Sequence, residues 1–185
     1  MGKSIMNINQ FYIDDIRQKE YRKKLLKPFY LNKAHEGRFV FVDKGSIADI
    51  LQREYAVDTI MQINDASVKS IEEKIVNWPG YKYTHYTLEI MSCTVPGREK
   101  TGWMHYGKSD ILLYCFIQEN ETIEAHAIPF QKLKEWFFKN DHYLNYRSTI
   151  TKQINRTECK LVPIADVFDN VTGCKKIYIK ENSNG

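Results

Sequence analysis

Two β-rich runs separated by a short turn most constrain what this chain can fold into. The runs span residues 55–63 and 68–76, and Asn64-Asp65-Ala66 lies between them. Asn and Asp side chains hydrogen-bond to backbone groups two residues further on and so favour turns, and a connection this short joins antiparallel neighbours. We therefore predict a β-hairpin, which brings residues on opposite sides of the turn within several ångströms of each other.

The rest of the chain alternates between helical and strand patterns. Helical periodicity predicts helices over residues 8–26, 46–54 and 129–140 and a helical turn over 164–168, with Pro28 ending the first helix. Further strands are predicted over residues 37–42, 83–92, 109–118, 159–163 and 175–179. With 185 residues, the chain has room for one sizeable core. We expect one α/β (α+β) domain, with a central mixed sheet of about four to five strands flanked by helices.

The second strand of the hairpin carries charged residues on both of its faces. Because strand side chains alternate, Glu72 and Lys74 project together and Glu73 projects to the other side. Asp58, from the first strand, supplies a second carboxylate. Carboxylates are hard oxygen ligands for Mg²⁺, and an ammonium beside them can orient or help deprotonate a water and stabilise charge on a phosphate. The predicted catalytic residues are therefore Asp58, Glu72 and Lys74, with Asp58 and Glu72 as metal ligands.

The N-terminal segment is unusually basic for a chain whose formal net charge is only +4. Its candidate nucleic-acid-binding residues are Arg17, Arg22, Lys23, Lys24 and Lys27. Such a cluster can contact phosphates. A solvated helix whose acidic start and basic end suit its own dipole explains the same pattern, and both interpretations stay open at this point.

Several short segments in a fixed order carry a family resemblance. They are Val57-Asp58, residues 70–74 (SIEEK), residues 88–90 (LEI), Gly102-Trp103 and residues 109–114 (SDILLY), preceded by the predicted helix around residues 49–55 (DILQREY). Together they resemble the PD-(D/E)XK nuclease superfamily, in particular its phage and mobile-element members. One departure is that Ala56-Val57 stands where the family has a glycine before the aspartate.

The resemblance implies a metal-dependent nuclease that hydrolyses phosphodiester bonds with Mg²⁺ or Mn²⁺, with DNA as the expected substrate. It makes Asp58 the first metal ligand, Glu72 the second and Lys74 the catalytic lysine. Additional contributors would be Glu89, Asp49 and Gln52. A restriction-endonuclease-like core would cover residues 46–167, with a basic helix and lead-in strand at 1–45 and a strand and tail at 168–185. Whether two copies pair as a homodimer is left open.

Each feature also has a plainer explanation. The Glu-Glu-Lys triplet could be a solvated strand edge, Glu89 could pair with a lysine across the sheet, and Trp103 could cover the core rather than stack on a base. The chain could be a nuclease-fold binding module without catalysis. It could also be a small inhibitor or interaction protein, with a contact face formed by the basic N-terminal helix and the aromatic surface residues Tyr81, Tyr83, His85 and Tyr86.

The expected location is the cytoplasm, without a membrane partner. No apolar run in the sequence approaches the roughly 20 residues that a membrane-spanning helix needs. The first fifteen residues, MGKSIMNINQFYIDD, lack the continuous apolar segment of a secretory signal.

Overall fold

The computed structural model describes residues 16, 18–42, 46–76, 83–120, 122–151 and 156–180 and has a mixed α/β architecture. The α-helices are α1 Lys27–Lys33, α2 Ser46–Tyr55, α3 Trp103–Tyr106, α4 Phe130–Phe138 and α5 Ile164–Asn170. A π turn at Arg22–Leu26 precedes α1, and 3-10 helices span His35–Gly37 and Lys139–Asn145. The strands are β1 Phe39–Phe41, β2 Thr59–Asn64, β3 Ser67–Val76, β4 His85–Cys93, β5 Lys100–Thr101, β6 Ile111–Ile117, β7 Ile123–Pro129, β8 Ser148–Ile150, β9 Glu158–Pro163 and β10 Lys175–Ile179. None of the helices in the described residues is both long and apolar enough to cross a membrane.

The central sheet is mixed and has six strands in the order β1-β2-β3-β6-β7-β10. The predicted hairpin is confirmed, since β2 and β3 pair antiparallel with Thr59 opposite Ile71. At the turn, the Ala66 amide donates to Asn64 Oδ1 at 2.9 Å, as an Asx turn requires. Strand β3 runs parallel to β6 on its other side, so β3 is a central strand.

A second sheet has the order β5-β4-β9-β8. The prediction of one central sheet of four to five strands is therefore corrected to a six-stranded sheet beside a separate four-stranded one. Strand β4 is the predicted strand over 83–92, but it pairs with β9 and not with the hairpin. Strand β7 was not predicted, and it joins β6 to β10.

The central sheet separates two hydrophobic cores, because consecutive side chains of β6 point to opposite faces. Leu112 and Tyr114 pack on what we call the front face, against the second sheet and α3 to α5. Leu113 and Cys115 pack on the back face, against the π turn and α1. Strand β1 lies before residue 46 and β10 after residue 167, so both chain ends contribute to the same sheet as the predicted core.

Two predicted boundaries are wrong. The first helix does not stop before Pro28: the Lys27 amide bonds to Arg22 O, five residues back, and α1 continues to Lys33. Pro28 stands in the first turn of α1, where its missing N–H and fixed φ are tolerated. The predicted strand over 55–63 starts four residues late, because α2 runs to Tyr55 and Ala56 reverses the chain with φ of +52°. The first half of the predicted N-terminal helix, residues 8–15, lies outside the described residues.

Candidate active site

The hairpin register places Asp58 beside Glu72. Asp58 directly precedes β2, and its amide donates to Ile71 O at 2.8 Å, which continues the β2–β3 ladder by one residue. The Asp58 carboxylate then accepts a hydrogen bond from the Glu73 amide at 2.8 Å. Its negative charge also acts on the carboxyl group of Glu72, the residue before Glu73 on β3. Two of the predicted site residues therefore lie close enough to interact.

Glu72 is a buried carboxyl group on the front face. It is 4% exposed, and its Oε1 forms an ion pair with Lys74 Nζ. Burial raises its pKa to about 7; the Lys74 ammonium opposes this increase, and the nearby Asp58 carboxylate adds to it. The solvated-edge explanation of the triplet is therefore wrong for Glu72, whose carboxyl group becomes protonated as the pH falls through about 7.

Lys74 completes the front-face group, as side-chain alternation predicted. Its Nζ lies 4.9 Å from the centroid of the Trp103 ring, within cation–π range. Burial alone would lower the pKa of Lys74, but Glu72, Asp58 and Glu89 together raise it above its ordinary value. Lys74 therefore carries its positive charge at neutral pH.

Glu89 reaches this group from the second sheet. Burial raises its pKa, while the Lys74 ammonium and a hydrogen bond from the Trp103 amide lower it. Gly102 makes the approach possible, because a Cβ at this position would lie 2.5 Å from Glu89 O and 2.7 Å from Glu89 Cγ. Glu89 therefore interacts with a lysine, as the alternative explanation proposed. The lysine is Lys74, however, which belongs to the other sheet and to the candidate site.

The segment after Gly102 covers the group. Trp103 is 5% exposed, which confirms that it belongs to the core. Tyr106, one helical turn later, was not predicted as a site residue. Burial raises the pKa of its hydroxyl, and the fields of Glu89, Glu72 and Asp58 raise it further against the opposing Lys74. The sequence signal for Tyr106 was its three-residue spacing from Trp103, which is a weak one.

The other predicted residues that the structure describes stand on other elements of the fold. Gln52 donates from Nε2 to Val42 O at 2.6 Å and so ties α2 to the end of β1. Asp49 is half-buried in the first turn of α2. The candidate nucleic-acid-binding residues Lys23, Lys24 and Lys27 are exposed; Arg17 lies outside the described residues.

The back face of β3 holds a second polar cluster that the sequence did not indicate. Glu73 Oε2 lies 2.9 Å from Arg22 Nε, and Glu73 Oε1 accepts hydrogen bonds from Tyr30 Oη at 2.9 Å and Thr59 Oγ1 at 2.5 Å. The guanidinium carbon of Arg22, a candidate nucleic-acid-binding residue, lies 4.2 Å from the centre of the Phe41 ring. The contacts with Arg22, Tyr30 and Thr59 are all made by the Glu73 carboxylate, on the face of the sheet opposite Glu72.

The aromatic contact face considered for an interaction protein is not formed as expected. Tyr86 is fully buried, and its hydroxyl bonds to His126 Nδ1 at 2.6 Å. Tyr83 and His85 are exposed, and Tyr81 lies outside the described residues. The four residues therefore do not share one surface, because alternation along β4 turns Tyr86 inward.

The donor set fits a magnesium ion rather than a closed metal cage. No three His, Cys, Asp or Glu side chains of the described residues form a group that could hold a metal. Mg²⁺, however, is usually bound through one or two carboxylates, with water and substrate phosphate at its other positions. Asp58 and Glu72 would supply two such oxygens, and a cation bound there would compete with the proton on Glu72.

Comparisons of the chain with protein-family models, curated proteins and solved structures found no match.

Proposed function

We propose that this chain is a metal-dependent nuclease of the PD-(D/E)XK type, which hydrolyses phosphodiester bonds in nucleic acid and has DNA as its expected substrate. The observation that carries the proposal is the convergence of three charged side chains on the front face. The carboxyl groups of Asp58 and Glu72 interact, and Lys74 pairs with Glu72. Burying charges inside a sheet is costly unless they are paired, and an apolar strand would fill the same space without that cost.

Each of the three residues has a role that suits its position. Asp58 and Glu72 would hold Mg²⁺ or Mn²⁺ through carboxylate oxygens. Such an ion, when bound, polarises a phosphoryl oxygen and lowers the pKa of a coordinated water. Lys74 supplies a fixed positive charge that can orient the water and stabilise the negative charge developing on the phosphate. The Trp103 ring restrains the flexible lysine stem.

Glu89 and Tyr106 have supporting roles in the proposal. Glu89 adds to the negative field that keeps Lys74 protonated. Tyr106 stays protonated because its pKa is raised, so its hydroxyl can donate a hydrogen bond to a phosphate oxygen. The exposed Lys23, Lys24 and Lys27 would contact the substrate backbone through charge alone.

The test is cleavage by the purified chain of supercoiled plasmid, single-stranded DNA and RNA, with Mg²⁺, Mn²⁺ or a chelator. Lys74→Met, which keeps the apolar stem, is expected to slow cleavage by about 100-fold or more because the charge beside the phosphate is lost, while Mn²⁺ binding persists. Asp58→Asn is expected to weaken Mn²⁺ binding measured by calorimetry by at least about tenfold, because a charged ligand becomes neutral.

Two matched control variants distinguish loss of a site residue from a general disturbance of the central sheet. Lys69 on the same strand forms a half-exposed pair with Asp110 at 3.1 Å, and Lys69→Met should leave cleavage unchanged. Glu124 on β7 pairs with Lys176 at 3.3 Å, and Glu124→Gln should leave Mn²⁺ affinity unchanged. Wild-type cleavage rates in both Lys74→Met and Asp58→Asn would refute the nuclease assignment.

A second candidate function is a nucleic-acid-binding module that has the nuclease architecture without catalysis. The observation that favours it is the Glu72–Lys74 ion pair, which partners both groups without a metal. Binding of DNA with no cleavage in either metal, and no calorimetric Mn²⁺ signal, would support this candidate over the nuclease.

A further inference from the structure

Arg22 holds the backbone of the metal-ligand candidate Asp58 from the back face of the sheet. Its Nη2 donates to Asp58 O at 2.5 Å and to Thr59 Oγ1 at 3.2 Å. Its Nε faces Glu73 Oε2 at 2.9 Å. One guanidinium therefore contacts both sides of the β2–β3 pair at the point where Asp58 enters it.

Glu73 closes the connection to the Asp58 side chain. Its carboxylate binds Arg22, Thr59 and Tyr30, while its own amide donates to Asp58 Oδ2 at 2.8 Å. Asp58 therefore accepts two hydrogen bonds that fix its position. Its carbonyl oxygen accepts one from Arg22, and its carboxylate accepts the other from the backbone amide of Glu73. The two contacts are linked through Glu73, whose side chain bonds to Arg22 on the back face while its backbone amide donates to the Asp58 carboxylate.

A lysine at position 22 could not make this set of contacts. The guanidinium is a planar fork that donates in several fixed directions, whereas an ammonium is a compact point charge. Only the fork can face Glu73 while also donating to Asp58 O and Thr59. Burying such a pair is also weakly stabilising compared with apolar packing, which points to a positional rather than a purely stabilising use.

We infer that Arg22 is a positioning residue, which fixes Asp58 in the orientation that lets its carboxylate meet Glu72 and a metal ion. This inference rests on the proposed function. Groups that orient a metal ligand from behind usually contribute about 10-fold to 100-fold to metal affinity. The helical segment that carries Arg22 also carries the exposed Lys23, Lys24 and Lys27, so it joins the predicted nucleic-acid surface to the metal site.

The test compares Arg22→Lys with the control Tyr30→Phe in the full chain. Arg22→Lys keeps a cation for Glu73 but loses the fork, and we expect the Kd for Mn²⁺ to rise by about tenfold. Tyr30→Phe removes a hydrogen bond to Glu73 and none to Asp58, and we expect its Kd for Mn²⁺ to stay within about twofold of wild type while its Tm falls. A purely structural pair predicts the opposite, namely that lysine rescues the Mn²⁺ affinity.

A second variant and a metal-free measurement keep the inference testable if Arg22→Lys folds poorly. Arg22→Gln combined with Glu73→Gln removes both charges together, so neither is left unpaired. In this variant and in Arg22→Lys, hydrogen exchange of the Glu73 amide without metal should accelerate by about tenfold, while amides of β7 keep their wild-type rates.

The outcomes separate the two proposals. Unchanged Mn²⁺ affinity and unchanged Glu73 exchange in the Arg22 variants, with normal Mn²⁺ binding by the wild type, would overturn the positioning role alone. Absence of Mn²⁺ binding by the wild-type chain would overturn the proposed function and the positioning role with it.

Discussion

The most informative perturbation of the site without metal is Glu72→Gln, because glutamine resembles the protonated carboxyl in shape and charge. In the folded chain Glu72 has its pKa raised from an ordinary 4.5 to about 7. A carboxyl group with a raised folded-state pKa stabilises the fold fully below the unfolded pKa and loses that contribution as the pH rises through the folded pKa. The loss therefore runs from about pH 4.5 to about pH 7.

The size of the effect follows from the two pKa values. Each pKa unit corresponds to 1.36 kcal/mol, so the full displacement is worth about 3 kcal/mol. Between pH 5 and pH 8 the expected loss of unfolding free energy from Glu72 is about 2.5 kcal/mol. Because the side chain is only 6% exposed, solvent screening does not reduce this value appreciably. Glu72→Gln does not lose this contribution, so the metal-free variant should be more stable than wild type above pH 7.

Urea unfolding in a chelating buffer measures the effect. Tryptophan fluorescence would follow unfolding of wild type and Glu72→Gln at pH 5, 6, 7 and 8, and the difference between the two free energies isolates Glu72 from other titrating groups. Adding Mg²⁺ above pH 7 should restore stability to wild type and leave the variant unchanged. Free energies that stay parallel from pH 5 to pH 8 would refute the raised pKa of the buried Glu72 carboxyl group.

Two further predictions concern packing and the charged surface. Gly102→Ala should lower the free energy of unfolding by about 1 to 3 kcal/mol, because its Cβ would meet the Glu89 backbone at 2.5 Å; Gly97→Ala, with nothing within 4 Å but φ of +79°, should cost only about 1 kcal/mol. Replacing the exposed Lys23 and Lys27 by Gln should reduce the slope of log K for DNA against log salt by up to about 1 per lysine.

Denaturant unfolding and binding titrations at several salt concentrations check these two expectations. Equal costs for the two glycine substitutions would contradict the close approach of the Gly102 loop to Glu89. An unchanged salt slope would contradict a phosphate-binding role for the exposed lysines, and Lys69→Gln on the central strand β3 serves as the charge-matched control.

Local rules were sufficient for the part of the site that lies on the hairpin. The two-residue period of a strand put Glu72 and Lys74 on one face and Glu73 on the other, and the turn chemistry around Asn64 brought Asp58 next to them. The contacts agree, since Glu72 pairs with Lys74 and Glu73 bonds to groups on the opposite face. Register within a hairpin depends on neighbouring residues and a short turn, both of which can be read in the sequence.

The sequence did not show which distant segments pack around the hairpin. Glu89 approaches Lys74 only because the second sheet packs on the front face, and Arg22 is committed to Glu73 only because the π turn carries it to the back face. Pro28, which locally predicts a helix end, is accommodated by that same turn. Pairing and packing between distant segments depend on the free energy of the whole core, which a local pattern does not contain. The sequence by itself therefore determined the hairpin and the faces of its charged residues, and the tertiary structure decided which distant groups surround them.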